Sequence, residues 1–359
     1  MSSSIPLQIN PDQAALVART PEAFAPEIAG PHNPLPVTPP RPLGSIRRTS
    51  TIDTSRPEGS RGALIVDARA RDLITRADGS TEVVGRQRLS ARLDGPTHAI
   101  EWVETDPPEP RLEALVGAVV GPGFRGRMTE LLPDLAEAGT LLYLLLDDWP
   151  GATLVSGYAG QVEGIVEGDE PHRISIDQMA FQTDICIGWA GDASMMNHIR
   201  DEGVNPVVLG AQAPSLDDDP DPLANHEIDA MPPHTMRRRR RIDVWQPSEG
   251  HAAFDGHFRD SHQSAESFET IVHEYTVSGT ADMQTRLVES ISAEARVLPW
   301  IECPGSIASA ARIQGMALED LRARVRAELV GTTTCTHLND TLRALSDVGT
   351  LLAELAASD

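Results

Sequence analysis

The 359-residue chain contains no lysine; all 30 of its basic residues are arginine. Without an ε-amine there is no lysine Schiff base, no Walker-type P-loop and no lysine general base. Cysteine is scarce as well. Its three copies, an odd number far apart in sequence, do not make a disulfide framework. No apolar run approaches the roughly 18 residues of a membrane span, the longest being Leu141 to Leu146. Met1 to Asn10 has neither a basic nor an apolar leader segment, so a cytoplasmic location is expected. Positive charge is in deficit: 53 acidic residues give a formal net charge of −23. Nucleic acid and anionic membrane are therefore not expected partners, since both are drawn to a positive field. Aromatic residues make up only 4%, so each one that is present carries weight.

What is there begins with proline. Residues 1–45 carry Pro31, Pro34, Pro36, Pro39, Pro40 and Pro42, a density that suits an extended arm. Beyond it the chain resembles itself. Arg47-Arg48-Thr49-Ser50-Thr51-Ile52-Asp53 aligns with Arg237 to Arg241-Ile242-Asp243. Arg88-Leu89, Glu101-Trp102-Val103-Glu104 and Leu115-Val116-Gly117 fall on Arg286-Leu287, Pro299-Trp300-Ile301-Glu302 and Ile313-Gln314-Gly315 at one offset of 198. Two diverged repeats are expected, 46–150 and 236–359, joined by an insert at 151–235.

In the second repeat, 237–245, 252–260, 269–278 and 285–297 alternate like strands. Helix signals follow at 306–313, 317–329 and 336–355. Within the insert, 193–200 reads as a helix ended by Gly203, 206–209 as a strand, and 217–222 as part of a turn-rich linker. Strands grouped before helices predict an α+β fold. Each repeat would be an antiparallel meander followed by helices, with the two copies about a pseudo-twofold axis.

The repeats differ where chemistry could reside. Cys303, Cys335 and His337 stand where the first copy has Thr105, Leu141 and Tyr143. Both cysteines precede predicted helices, where free N–H groups and the helix dipole favour thiolate. Residues two apart on a helix do not face one another, so His337 is expected to meet Cys303 or a sheet residue. Glu302 and Asp260 are acid–base candidates, although Glu302 has a counterpart in Glu104 and suits a hydrogen bond to a helix start. His273 is a further catalytic candidate and shares a strand face with Tyr275, as His257 does with Arg259. These last three, with Trp300, are expected to line a substrate site. The run Arg237–Arg241 reads as a salt-bridged strand before an anion clamp.

Cys303-Pro304-Gly305, Gln314-Gly315 and Cys335-Thr336-His337-Leu338 together resemble the bacterial domain family of unknown function DUF2889. The resemblance covers about residues 236–345, with the first repeat as a degenerate copy, and implies no activity. A more distant likeness is to the iron–sulfur scaffold fold of the NifU type, in which a cysteine before a helix and a later cysteine beside a histidine fall at comparable places. That scaffold's first cysteine, in its sheet, has no counterpart between Met236 and Glu302.

The reading that follows is a small-molecule enzyme of lyase, hydrolase or isomerase type, acting on an organic acid, acyl or aromatic compound through Cys303, Cys335 and His337. The alternatives are a metal or iron–sulfur accessory protein, with zinc or a cluster on those three residues, and a non-catalytic ligand-binding protein. Neither a cofactor nor an oligomeric state is specified by the sequence.

Overall fold

A computed structural model describes residues 11–168, 173–216 and 219–358. Met1 to Asn10, and Asp217 and Asp218 of the expected linker, lie outside the described residues. The strands are β1 (Ser45–Ser55), β2 (Leu64–Thr75), β3 (Thr81–Leu93), β4 (Ile100–Asp106), β5 (Met236–Ser248), β6 (His251–Gln263), β7 (Glu269–Asp282) and β8 (Val288–Val297). All pair antiparallel in one eight-stranded sheet, in the order β4-β3-β2-β1-β5-β6-β7-β8. The helices are α1 (Pro11–Arg19), α2 (Phe124–Leu131), α3 (Pro133–Glu137), α4 (Leu141–Glu167), α5 (Ser194–Glu202), α6 (Leu321–Glu328), α7 (Thr336–Ala344) and α8 (Val348–Ala357). The fold is mixed α+β. Among the described residues no helix is long and apolar enough to cross a membrane.

The centre of the sheet is buried on both faces, yet its strands are rich in arginine. β1 and β5 pair in a register that sets Arg47 opposite Asp243 and Arg237 opposite Asp53. Both pairs are salt-bridged, with Arg47 Nη2 2.9 Å from Asp243 and Arg237 Nε 2.7 Å from Asp53. On this face Arg47 also donates to the carbonyls of Pro39 and Ala224, and Arg259 to those of Leu35 and Pro214. The proline-rich arm and the end of the insert thus cover it. The opposite face lies under α4 and the C-terminal helices, where Arg48, Arg238 and Arg240 meet Asp347, Asp340 and Asp148. A buried charge is tolerated when a well-placed counter-charge offsets its desolvation. The guanidinium fork does this with two parallel bonds where a lysine offers one point charge, in keeping with a chain that has no lysine.

Several expectations change in detail. The fourth strand of the second half begins at Val288, because Asp282 to Leu287 close a turn in which Arg286 has φ +59°. Residues 303–313 wind as a 3-10 helix, and α6 is preceded by a 3-10 turn at Leu318–Asp320. Residues 206–209 form no strand; Val207 makes an isolated bridge to Phe24. The described part of the arm carries a helix, α1, before its extended part. The 27-residue α4, capped by Thr140 and ended by Gly168, continues through Pro150, so the boundary expected after residue 150 falls inside a helix.

The single offset of 198 is not kept either. Arg88 lies within β3 and Arg286 in the turn before β8, while Trp102 lies on β4 and Trp300 beyond the end of β8. His98 and Arg286 instead hold matching positive-φ places one turn before β4 and β8. Gly117 and Gly315 do match, each donating back to the first residue of its fourth strand.

Candidate functional site

Antiparallel register sets Asp260 on β6 opposite His273 on β7, at a point where the pairing slips by one residue. Both side chains face the helices. Cys335 caps α7 in an extended conformation, and His337 follows in the first turn. That turn lays the His337 ring on His273, centroids 3.5 Å apart and planes 18° from parallel. His273 Nδ1 is 3.9 Å and His337 Nε2 3.7 Å from the same oxygen, Asp260 Oδ2. Both separations exceed a hydrogen bond, and His273 Nδ1 is buried with no partner. Among the described residues these three form the one group of metal-ligating side chains whose ligand atoms all lie within 4.8 Å of one another.

The site is held from behind. Arg238 grips Asp260 with Nε on Oδ1 and Nη2 on Oδ2, each at 2.9 Å, and its Nη1 reaches Asp340 Oδ2 at 2.8 Å. Asp340 is in turn bonded by Arg343, which also meets Asp147 at 3.2 Å. The Phe258 ring lies 4.9 Å from the Arg238 guanidinium. Burial, with Arg238 nearby, pushes His337 down to about 3. Burial and the neighbouring imidazole likewise hold His273 well below its usual value. Both rings are therefore neutral, with a free lone pair each, at ordinary pH. Their side chains stay 11% and 14% exposed while Asp260 is fully buried. His337 Nδ1 is backed by Thr336 Oγ1 at 3.4 Å.

The first half keeps the same framework without the imidazoles. Arg48 forks onto Asp72 at 2.8 and 2.7 Å from the adjacent strand, and its Nη1 meets Asp347. Asp72, however, pairs with Gly85 on β3. The space above Gly85 is closed by Leu141, whose Cδ1 is 3.1 Å from where a Cβ would stand.

The cysteines occupy a different place. Cys303 and Cys335 are buried against Tyr275, whose hydroxyl faces Cys335 and Ser306. Cys186, from the insert, is the third sulfur of this cluster. Burial pushes Cys186 up to about 12, Cys303 well above the usual thiol value and Cys335 upward too. The expected thiolates are thus corrected: desolvation outweighs the helix-start field. Cys335 Sγ does come within 3.9 Å of His337 Nδ1, but the sulfur joins the dry cluster while His337 turns its Nε2 to Asp260. The set Cys303, Cys335 and His337 does not converge as three ligands.

The remaining candidates divide by face. His257 and Arg259 lie on the arm side of the sheet, both bonded to Glu274 Oε1 at 2.7 Å, and so cannot line a site with His273 and Tyr275. Glu302 accepts from Ser194 N at 2.8 Å and Oγ at 2.9 Å, anchoring the start of α5. Trp300 is 5% exposed and packs among core side chains beside Gly188. The run Arg237–Arg241 is buried, and Arg237, Arg238, Arg240 and Arg241 are salt-bridged. Strand alternation put His273 on the right face, but no spacing rule pointed to its contact with His337.

Residues 236–350 match the domain family described as protein of unknown function, DUF2889. No curated protein and no solved structure matches the chain.

Proposed function

We propose that the DUF2889 segment carries a small-molecule enzyme site built on Asp260, His273 and His337, which together hold a divalent first-row transition ion. Two imidazoles and one carboxylate are a donor set that suits such ions. The observation that carries the reading is that three ligand atoms lie within 4.8 Å of one another while neither imidazole is close enough to hydrogen-bond to Asp260. Arg238 fixes Asp260 and Thr336 backs His337, the kind of outer support that orients ligands. A bound ion would supply Lewis-acid polarisation of a substrate oxygen or of water. The residues themselves would orient the substrate and exclude bulk water from Asp260. The reaction class is lyase, hydrolase or isomerase on an organic acid, acyl or aromatic compound.

The two halves of the sheet support descent from one duplicated unit arranged about a pseudo-twofold between β1 and β5. The reciprocal Arg47–Asp243 and Arg237–Asp53 bridges favour it. So do the matching forks of Arg48 on Asp72 and Arg238 on Asp260. On this reading the fork is structural in both copies, and the imidazoles are the specialised part of one.

Metal analysis of the full-length protein, equilibrated with zinc, manganese or iron(II) and then desalted, tests the assignment. One equivalent of ion is expected, lost in His337→Ala and His273→Ala with circular dichroism unchanged, and kept in Cys303→Ala. An ion-free wild type that still loses turnover in His337→Ala would favour the second reading, a proton-transferring histidine pair. Such a pair is suggested by two neutral stacked rings over one carboxylate.

A further inference from the structure

A cavity of about 320 Å³ opens between α4, α6 and the start of α8, lined in part by Tyr143, Asp147, Arg286, Arg322, Arg326 and Ser346. Arg322 enters it from α6. Its Nη1 is bonded to Asp347 Oδ1 at 2.7 Å and to Ser346 Oγ. Nε and Nη2, the two donors along one edge of the guanidinium, are buried and have no hydrogen-bond partner. Asp147 stands 3.8 Å from Nε and is already engaged by Arg343 and Arg125. An unpaired donor edge in a desolvated place is costly, and its natural complement is an acceptor with two coplanar oxygens. Arg286 reaches the same space from the β7–β8 turn. It lies so close over Gly349 that a Cβ there would be 2.1 Å from Nη2.

We infer that this cavity binds the carboxylate of a small organic acid, with the Nε–Nη2 edge of Arg322 as its bidentate anchor and Arg286 at the mouth. An organic carboxylate fits better than phosphate on one ground. The Tyr143 ring, 5.3 Å from the Arg322 guanidinium, and the methyls of Ala136 and Ala323 offer a wall for a carbon skeleton. The site is separate from the imidazole pair and does not depend on an ion there. A run of alternating charges nonetheless joins them: Arg322, Asp147, Arg343, Asp340, Arg238 and Asp260.

Calorimetric titration of the full chain with succinate, and separately with inorganic phosphate, tests the inference at low ionic strength. Saturable succinate binding is expected, at least tenfold weaker in Arg322→Gln and severalfold weaker in Arg286→Gln. Arg286 is 44% exposed, so its variant is folded and decides the matter if Arg322→Gln is not. Binding of phosphate without succinate would overturn the organic-acid assignment. Absence of both, or succinate binding that neither variant weakens, would overturn the site.

Discussion

Gly151 of α4 stands where Arg238 needs empty space: a Cβ there would lie 2.2 Å from Nη1 and 2.7 Å from Asp340 Oδ2. The absence of that methyl lets a helix pass directly over a buried ion pair. Gly151→Ala should therefore destabilise the protein by about 2–4 kcal/mol, since either the helix or the pair must shift. Gly157, on the same helix, is exposed with nothing within 4 Å of its Cβ position. Gly157→Ala should add about 0.5–1 kcal/mol through helix propensity. Urea unfolding of the two variants measures both, and equal effects would refute the packing account.

Arg238→Lys keeps the charge and loses the fork. A lysine has its three donors on one nitrogen and cannot span Asp260 with two parallel bonds while reaching Asp340, as Arg238 does. Leaving part of a buried ion cluster unpaired costs about 3–5 kcal/mol. Arg324→Lys, in an exposed pair with Glu328, should change stability by less than about 0.5 kcal/mol. Comparable losses at the two positions would mean that the fork geometry is irrelevant.

Acid should weaken the fold from an unusual source. His226 bridges Thr49 and Thr51 at 3.0 Å each, and burial, then Arg239 and other arginines, push it down to about 3. Burial likewise pushes His257 down to about 4, against the pull of Glu274. The unfolded chain takes up these protons near pH 6.5, the folded chain only well below that. Between those values the unfolded state binds more protons, so stability is complete above about pH 6.5 and declines as pH falls. Each group contributes up to about 1.4 kcal/mol per pH unit. Denaturation midpoints from pH 7 to 4.5 should show this slope, and His226→Asn should flatten it.

Thiol chemistry offers a fourth check. With Cys186 at about 12 and Cys303 and Cys335 also raised, thiolate at pH 8 is scarce and the sulfurs are buried. Alkylation of the native protein by iodoacetamide should run at least 100-fold slower than in urea. Rapid labelling of Cys335 in the folded state would restore the nucleophile that the structure argues against.

Much of the architecture was legible along the chain. Alternation marked β5, β6 and β7 but stopped three to four residues short of their C-terminal ends, and Gly203 correctly closed α5. The repeat of Arg-Arg and Asp at 47–53 and 237–243 located the two strands that meet at the centre of the sheet. By contrast, α4 was hidden: its sequence is apolar almost all round at the start and carries Pro150 and four glycines, which read as breaks rather than helix. Trp102 and Trp300 looked equivalent by spacing and are not: Trp102 lies on β4 and Trp300 beyond the end of β8.

For the site, residue types were readable and partnerships were not. His337 and His273 stood out as second-half histidines, and Asp260 as an acid. Their convergence depends on a one-residue slip between β6 and β7 and on where α7 docks. The same holds for the sulfurs, whose raised pKa values come from burial that no helix-start rule measures. By itself the sequence determined the local elements, the all-arginine charge chemistry and the DUF2889 segment, because periodicity, composition and motif spacing act over short stretches of chain. The tertiary structure alone decided which face each strand residue buries, which acid each arginine grips and which histidines touch. Those depend on packing between elements distant in sequence, where a one-residue shift in register sends a side chain to the opposite face.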